Sequence, residues 1–271
     1  MTSMRAASPT VPGPGPLLSI RDLRIEIGGA ALVDVDALDV GRGEIVGLVG
    51  ESGAGKSLLQ SAVLGLLPTT ARSTGSIRFD GTELVGTGQG VYRGIRGRRI
   101  AVVLQAARAA LTPTLRAETW VDRALALHGV PKRDRGARIA HALDAVRLDG
   151  ALLKRYPHQL SGGEAQRVSI ALAVALRAEL VLADEATSAL DVTVQAEVAE
   201  LFRRLRQTEG TAFLMVSHDL ALVAGLADRI SIIAEGRIVE RGGPEVLHAP
   251  SDPVTQALVA ANPTLPRETG R

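Results

Sequence analysis

The alternation of apolar and polar residues predicts a pair of β-strands near the start of the chain. Residues 17–27 and 31–40 follow a period of two, which is typical of strands with one buried face. Gly28 and Gly29 lie between these segments and favour a tight turn. Residues 75–80 add a further strand, so the sequence predicts an antiparallel β layer.

A second group of predicted strands is mainly apolar rather than alternating. Continuous apolar runs are typical of parallel strands that are covered on both faces. They lie at residues 44–49, 100–104, 180–183, 212–216 and 230–234, with a short run at 238–240. Helical spacing predicts helices over residues 56–67, 192–207 and 253–260. Two more are predicted, one from the glycines at 162–163 to residue 177 and one that follows His218 and ends at residue 226. This alternation of strand and helix predicts an α/β domain with a parallel sheet.

The pattern changes between residues 106 and 159. Ala, Leu and Arg recur there at helical spacing, most clearly over residues 118–127 and 135–148. We interpret residues 106–159 as a helical subdomain inserted into the α/β domain.

Length, charge and residue usage narrow the class of protein. The 271 residues suit one large domain over residues 17–260, with a mobile leader at 1–16 and a tail at 261–271. Lys and Arg number 31 against 29 Asp and Glu, so no general affinity for nucleic acid is expected. The absence of cysteine excludes disulfides and thiolate metal sites. No apolar run approaches the ~18 residues that span a bilayer, so we expect any membrane role to depend on a partner.

A glycine-rich segment between a predicted strand and a predicted helix matches the pattern G-x-x-x-x-G-K-[ST]. Its residues are Gly50, Glu51, Ser52, Gly53, Ala54, Gly55, Lys56 and Ser57. Because glycines permit positive φ, successive N–H groups can turn inward and form an anion site at a helix N-terminus. Lys56 would then reach the β- and γ-phosphates of a nucleotide, and the Ser57 hydroxyl would bind Mg²⁺. The flanking strand and helix disfavour the alternative of a glycine-rich turn that matches by chance.

Polar residues follow several predicted parallel strands, at the edge where ligands bind in open α/β sheets. Asp184 is placed as a metal-binding carboxylate, and Glu185 points elsewhere and can act as a general base towards water. Taken alone, these two would be read as solvated carboxylates, Gln105 as a loop amide and His218 as a capping or packing residue. The phosphate loop and the order of the whole set favour a catalytic site.

Six motifs occur in an order that resembles the nucleotide-binding subunits of ABC transporters. They are the phosphate loop at 50–57, Gln105, Leu-Ser-Gly-Gly-Glu at 160–164, the strand and carboxylates at 180–185, Ser-Ala-Leu-Asp at 188–191 and Val-Ser-His-Asp at 216–219. The resemblance implies an α/β fold with a RecA-like P-loop NTPase core, an antiparallel β subdomain and an inserted helical subdomain.

The same resemblance implies that ATP and Mg²⁺ bind between two subunits arranged head to tail. The phosphate loop of one subunit would face Ser161, Gly162 and Gly163 of the other, since a Ser-Gly-Gly before a helix is a second anion site. The implied metal contacts come from Ser57, Gln105 and Asp184, the catalytic contacts from Glu185, His218 and Gln105, and Asp191 would couple the two sites.

Further segments resemble the dipeptide, oligopeptide and nickel importer branch of that family. They are Tyr-Pro-His-Gln at 156–159, the residues at 183–195 and Pro-Val-Thr-Gln-Ala-Leu at 253–258. Departures from the branch at 106–113 and 251–255, and the lack of a cysteine-bearing extension, affect the expected permease and substrate contacts rather than the ATP chemistry.

The branch implies a set of partners and a place in the cell. The partners are transmembrane permease subunits, a second ATPase subunit (a copy or a related chain) and an extracytoplasmic substrate-binding protein. The chain would lie peripherally on the cytoplasmic face of the membrane. An ABC exporter subunit is the nearer alternative, and a non-transport ABC ATPase the more distant one.

An aromatic ring is missing where the resemblance leads us to expect one. ABC ATPases stack such a ring on adenine from the β subdomain, at a position that falls at or near Ile27. No Phe, Tyr or Trp occurs before Phe79. We therefore expect the triphosphate to dominate affinity and ATP and GTP to be poorly discriminated.

Overall fold

The computed structural model describes residues 15–186 and 192–262, which form two β-sheets and their covering helices. The strands are β1 (Leu18–Ile27), β2 (Ala30–Val40), β3 (Ile45–Val49), β4 (Ala71–Phe79), β5 (Thr82–Glu83), β6 (Ile100–Leu104), β7 (Leu180–Asp184), β8 (Ala212–Ser217), β9 (Arg229–Ala234) and β10 (Arg237–Gly242). The helices are α1 (Lys56–Val63), α2 (Gln89–Ile95), α3 (Ala107–Ala110), α4 (Ala117–Leu127), α5 (Lys132–Val146), α6 (Gly162–Leu176), α7 (Val192–Glu209), α8 (Leu220–Leu226) and α9 (Pro253–Ala260).

The larger sheet has the strand order β10-β9-β3-β8-β7-β6, and every pairing in it is parallel except that of β10 with β9. All five residues of β3 are buried, as its continuous apolar run predicts. Alternate residues of β3 pack on opposite sides: Ile45 and Val49 join the core under the helices, while Val46 and Leu48 face the second sheet. The parallel arrangement brings the carboxyl ends of β3, β6, β7 and β8 to one edge.

The smaller sheet is antiparallel, with the order β2-β1-β4-β5. Its apolar face shares one buried cluster with the larger sheet, in which Val33 of β2 and Leu214 of β8 are both fully buried. This packing fixes the β1–β2 hairpin beside the end of β3, where the phosphate loop begins.

A network of four charged residues crosses the junction between the two sheets. The Arg99 guanidinium contacts Asp80 Oδ2 at 2.6 Å and binds Glu179 through two bonds of 2.5 and 2.9 Å. Arg42 pairs with the same two carboxylates. Because Arg42 and Asp80 follow β2 and β4 while Arg99 and Glu179 precede β6 and β7, the network ties the antiparallel layer to the parallel sheet.

Helices α3, α4 and α5 lie between β6 and β7, where helical spacing predicts them. Each of the neighbouring helices α5 and α6 donates an arginine to the carboxyl end of the other. Arg138 of α5 donates to Ala175 O at 3.3 Å, and Arg167 of α6 donates to Val146 O at 2.8 Å. Guanidinium groups complement the partial negative charge of helix carboxyl ends. The pair of caps couples α5 to α6, whose first turn carries the Ser-Gly-Gly segment.

Several predicted boundaries are wrong for identifiable reasons. We predict α1 to run to residue 67, but it ends at Val63, because Gly65 adopts a left-handed conformation with φ 60°. We predict a helix over 135–148, but α5 spans Lys132–Val146: it begins directly after Pro131, and Arg147 ends it with φ 52°. Helix α2 is missed because glycines interrupt its short pattern.

Some predictions fall outside the described residues. They are the leader up to residue 14, the tail from residue 263, and Asp191 with its proposed coupling role. Within residues 15–186 and 192–262, no helix combines the length and the apolarity needed to cross a bilayer.

Candidate functional site

The phosphate loop connects β3 to α1, as its sequence predicts. Gly53 and Gly55 adopt left-handed conformations with φ 83° and 102°, which only glycine adopts without strain. Gly50 is required for a different reason, since a Cβ there would overlap the backbone of Ile233. Gly55 precedes α1 without a side-chain cap, so the first N–H groups of α1 remain available to an anion.

Lys56 is the buried cation of this loop, with 7% of its surface exposed. Its ammonium donates to the carbonyl oxygens of Gly50 at 2.8 Å and Glu51 at 2.7 Å. Burial lowers the pKa of Lys56, and the negative charges of Glu185 and Asp184 oppose that effect. The side chain is therefore folded across the loop, beside the carboxylates.

The two carboxylates lie at the end of β7, between β6 and β8. Asp184 pairs in register with Leu104 and Val216, so it lies beside the ends of both neighbouring strands. Burial raises the pKa of Asp184, the charge of Glu185 raises it further, and Lys56 acts in the opposite direction. A carboxyl whose anion is disfavoured by burial gains from a cation placed against it.

Glu185 has an unusual backbone conformation. Its φ is 45°, and its N–H donates to Val216 O at 2.9 Å. Left-handed conformations of non-glycine residues are strained and concentrate at functional sites. That Glu185 and Asp184 point in different directions and have different roles stays a prediction.

His218 and Glu185 are brought into direct contact. The Nδ1 atom of His218 lies 3.1 Å from Glu185 Oε1. The turn that carries His218 is fixed on both sides: Asp219 N donates to Ser217 Oγ at 3.0 Å, and Asp219 Oδ1 accepts from Leu222 N at 3.0 Å. The sequence places both residues at strand ends, but their contact depends on the register between β7 and β8.

One cleft of about 500 Å³ collects eight of the sixteen predicted site residues. Its lining includes Ser52, Gly53, Gly55, Lys56, Ser57, Gln105, Asp184 and Glu185, together with Ile27 and Leu32 of the β1–β2 hairpin. Sequence reasoning misses Leu32, which is 44% exposed; the signal was available, because Leu32 follows the predicted turn at Gly28–Gly29 and occupies the strand facing Ile27.

The other loop residues face a neighbouring cleft. Gly50, Glu51 and Ala54 line a space of about 650 Å³ between the loop, the end of β9 and helix α9. The phosphate loop therefore has two sides, and the side that carries Lys56 and Ser57 is the one that meets the carboxylates.

Oxygen donors suited to a hard cation converge in the 500 Å³ cleft. They are the Ser57 hydroxyl, the Gln105 amide oxygen and the Asp184 carboxylate. Mg²⁺ is bound in proteins through one or two carboxylates together with phosphate oxygens and water. Among the described residues no group of three or more His, Cys, Asp or Glu side chains could hold a metal ion.

The Ser-Gly-Gly segment is well ordered but does not line the cleft. Ser161 caps α6: its Oγ accepts from Glu164 N at 3.1 Å, and Glu164 Oε2 accepts from Ser161 N at 2.7 Å. A Cβ on Gly163 would lie 2.8 Å from a methyl group of Val194. Ser161, Gly162 and Gly163 do not line the 500 Å³ cleft of their own chain.

Comparison with known proteins finds a family model described as ABC transporter, which matches residues 33–188. The chain is 41% identical over 259 residues to the peptidoglycan transport ATP-binding protein YejF of Agrobacterium fabrum, covering 92% of this chain and 47% of that protein. It is 38% identical over 264 residues to the dipeptide transport ATP-binding protein DppD of Escherichia coli, covering 94% of this chain and 81% of that protein. The chain therefore spans about half the length of the first relative and most of the second.

Solved structures show the same fold. CbiO1 of Clostridium perfringens, part of the ABC transporter complex cbiONQ, superposes with a TM-score of 0.77 at 24% identity, over 87% of this chain and 92% of that chain. The ATP-binding cassette MJ0796, in a dimeric post-hydrolysis state bound to ADP and phosphate, gives a TM-score of 0.72 at 25% identity, over 84% of this chain and 98% of that chain.

Proposed function

The chain belongs to the ABC transporter family, and on that premise we propose that it is the ATP-hydrolysing subunit of an importer for peptides or a related small solute. The observation that carries the proposal is the contact of His218 with Glu185, which lines the same cleft as Lys56. A general base, a polar partner and a phosphate cradle then share one site.

The phosphate loop and Lys56 hold the triphosphate. The N–H groups at the start of α1 face the anion, and the Lys56 ammonium exchanges its bonds to Gly50 O and Glu51 O for phosphate oxygens. Ser57, Gln105 and Asp184 would hold Mg²⁺, which supplies positive charge that neutralises the phosphates when it is bound. The buried position of Asp184 makes its carboxylate a favourable partner for that charge.

Glu185 accepts the proton of the attacking water. Glu185 directly follows Asp184, so its carboxylate lies beside the expected metal ligand. Its backbone is left-handed, and its carboxylate contacts His218. His218 orients that carboxylate through Nδ1 and offers its second ring nitrogen to the γ-phosphate. These two contacts together select the tautomer of His218, that is, which of its ring nitrogens carries the proton.

A second copy completes the site. Ser161 to Gly163 form a helix N-terminus outside the cleft of their own chain, and the first N–H groups of α6 can receive phosphate from another molecule. A dimer of the related cassette holds ADP and phosphate, which supports a head-to-tail pair here. The partner ATPase is a second copy of this chain or a related subunit.

An exposed apolar groove provides a place for a membrane partner. Leu66, Val102 and Leu104 are 57%, 37% and 43% exposed. They line one cleft with Trp120 and Leu172, where β6 meets α4 and α6. Exposed apolar clefts of this kind mark binding surfaces. The chain thus docks on permease subunits at the cytoplasmic face of the membrane. The importer branch that the sequence resembles extends the proposal to a substrate-binding protein in the same system.

Two experiments test the proposal. In the first, Lys56→Ala should abolish Mg-ATP binding, measured by calorimetry on the purified chain, while Lys132→Ala, on the surface of α5, should bind as the parent does. In the second, tagged chain is purified from detergent-solubilised membranes of its own cells, and the co-purifying proteins are identified by mass spectrometry. Polytopic permeases should accompany the parent and be lost from Leu104→Glu. Unchanged ATP binding by Lys56→Ala, or no membrane protein in the parent sample, would contradict the corresponding part.

A further inference from the structure

The cleft beside the phosphate loop contains no aromatic side chain for a nucleobase. The chain has three Phe, two Tyr and one Trp, and all six lie within the described residues. The three Phe side chains are fully buried, Tyr92 is 6% exposed, and Trp120 packs against the helical core. The hairpin offers only Ile27 and Leu32 to the cleft. Tyr156 is the remaining ring, and it lies elsewhere in the chain.

Tyr156 forms a stacked pair with His158. The ring centroids are 5.7 Å apart and the planes differ by 12°. The guanidinium of Arg116 lies over the Tyr156 ring, 5.6 Å from its centroid. His158 is exposed to solvent and Tyr156 is half-buried. The pair is therefore a flat π surface with an exposed histidine ring, and a guanidinium cation interacts with its tyrosine ring.

Hydrogen bonds fix the backbone of the turn that carries these rings. Tyr156 N donates to Gln159 Oε1 at 2.9 Å, Gln159 N donates back to Tyr156 O at 2.9 Å, and Leu160 N donates to Pro157 O at 3.2 Å. Pro157 and Leu160 are buried on either side of His158. Because the turn is fixed, its backbone loses little conformational freedom when a ligand stacks on the rings.

The ring pair lies next to the second anion site. His158 is three residues before Ser161, a separation of at most about 10 Å, comparable with the length of a nucleoside triphosphate. In the dimer proposed above, Ser161 of one subunit faces the phosphates bound by its partner. A base attached to those phosphates therefore falls within reach of the rings and opposite the aliphatic wall of Ile27 and Leu32.

We propose that Tyr156 and His158 form the stacking surface for the nucleobase bound to the other subunit of the dimer. The inference rests on the proposed head-to-tail dimer and adds a nucleobase contact in trans. The base then packs between Ile27 and Leu32 of one subunit and the ring pair of the other. Stacking uses the face of the base and not its edge, so adenine and guanine are accepted alike and the smaller pyrimidines are held less well.

The test measures nucleotide-driven dimerisation of the purified full-length chain. Glu185→Gln is introduced throughout so that the ATP-bound dimer accumulates, and dimers are quantified by light scattering. Adding His158→Ala or Tyr156→Leu should raise the ATP concentration for half-maximal dimerisation roughly 5- to 150-fold, the range of a lost base stack. ATP affinity of the dilute monomer should stay within about twofold. Tyr156→Phe, which keeps the ring, and His248→Ala, an exposed histidine elsewhere, serve as controls.

Ribose 5-triphosphate, which has no base, separates stacking from a structural role. With it, the parent and the two ring variants should dimerise at equal concentrations, and the preference of the parent for ATP and GTP over CTP should disappear in His158→Ala. The inference is overturned if the ring variants dimerise with ATP as the parent does, or if they lose dimerisation equally with ribose 5-triphosphate. Failure of the parent to dimerise with ATP at all would instead remove the dimer itself, and with it the proposed composite site.

Discussion

Removal of the Arg99 guanidinium tests how the two sheets are held together. In Arg99→Met the apolar stem is kept, while the bond to Asp80, the two bonds to Glu179 and the contact with the Phe79 ring, at 4.8 Å, are lost. Arg42 remains beside both carboxylates, so neither is left without a cation. The variant therefore measures what Arg99 adds to the junction.

The exposure of the network limits the expected magnitude. The Arg99, Glu179 and Asp80 side chains are 31%, 34% and 38% exposed. Ion pairs of this exposure contribute about 0.2–1 kcal/mol each, and the bidentate pair lies at the upper end. With the cation–π contact at about 0.5–1 kcal/mol, we expect a loss of about 1–2 kcal/mol. That corresponds to a fall in Tm of about 2–8 °C for a chain of this size.

The pH dependence gives the same prediction a second readout. The Arg99 hydrogen bonds hold the pKa values of Asp80 and Glu179 below their ordinary range. A depressed carboxyl pKa stabilises the fold above the unfolded pKa, near 4, and that stabilisation is lost as pH falls through the lower folded value. The difference in Tm between the parent and Arg99→Met should be full at pH 7 and should shrink below about pH 4.

Differential scanning calorimetry or urea unfolding would measure the effect. Arg78→Met is the matched control, because Arg78 is 63% exposed and lies 3.5 Å from Glu83; it should change Tm by less than about 1 °C. A Tm of Arg99→Met equal to that of the parent, or a difference that persists unchanged at pH 3, would refute the assignment of this network as an electrostatic junction.

Two further predictions concern nucleotide recognition. Gly163→Asp places a carboxylate where the partner's phosphates are expected, so ATP-dependent dimerisation and turnover should be abolished. The ATP affinity of the monomer, measured by titration, should stay nearly intact, and an equal collapse of that affinity would exclude a role in trans. Gly163→Ala is the control that separates the effect of charge from crowding against Val194. Ile27→Tyr adds a ring to the aliphatic wall and should tighten ATP and GTP binding severalfold without changing the hydrolysis step. A strong preference of the parent monomer for ATP, with no gain in this variant, would show that adenine is held by other groups.

Hydrophobic periodicity predicts most of the strands and helices, because the pattern of apolar residues in each element reflects which of its faces is buried. The alternating segments become β1 and β2, and the continuous ones become β3, β6, β7, β8 and β9. Element ends are less predictable, since they depend on contacts that are distant in sequence. Helix α1 stops where Gly65 turns against Tyr92, and nothing in the local pattern around residues 64–67 shows that ring.

The candidate site was predictable as a set but not as an arrangement. The rule that ligands bind at the carboxyl ends of parallel strands places Lys56, Gln105 and Asp184 in one cleft, and the structure brings them together there. The contact of Glu185 with His218 depends on strand register and on a left-handed backbone at Glu185. Neither is encoded in a local pattern, so only the folded chain shows them.

The rate of ATP hydrolysis by Glu185→Gln tests the central claim most directly. The substitution keeps the size of the side chain and removes the carboxylate that accepts a proton, and Glu200→Gln, at 69% exposure, is the matched surface control. Single-turnover hydrolysis by the purified complex should slow by roughly 10²–10⁴, with unchanged ATP affinity and accumulation of an ATP-bound dimer, while Glu200→Gln behaves as the parent does. Near-parental turnover by Glu185→Gln would contradict the assignment of Glu185 as the catalytic base.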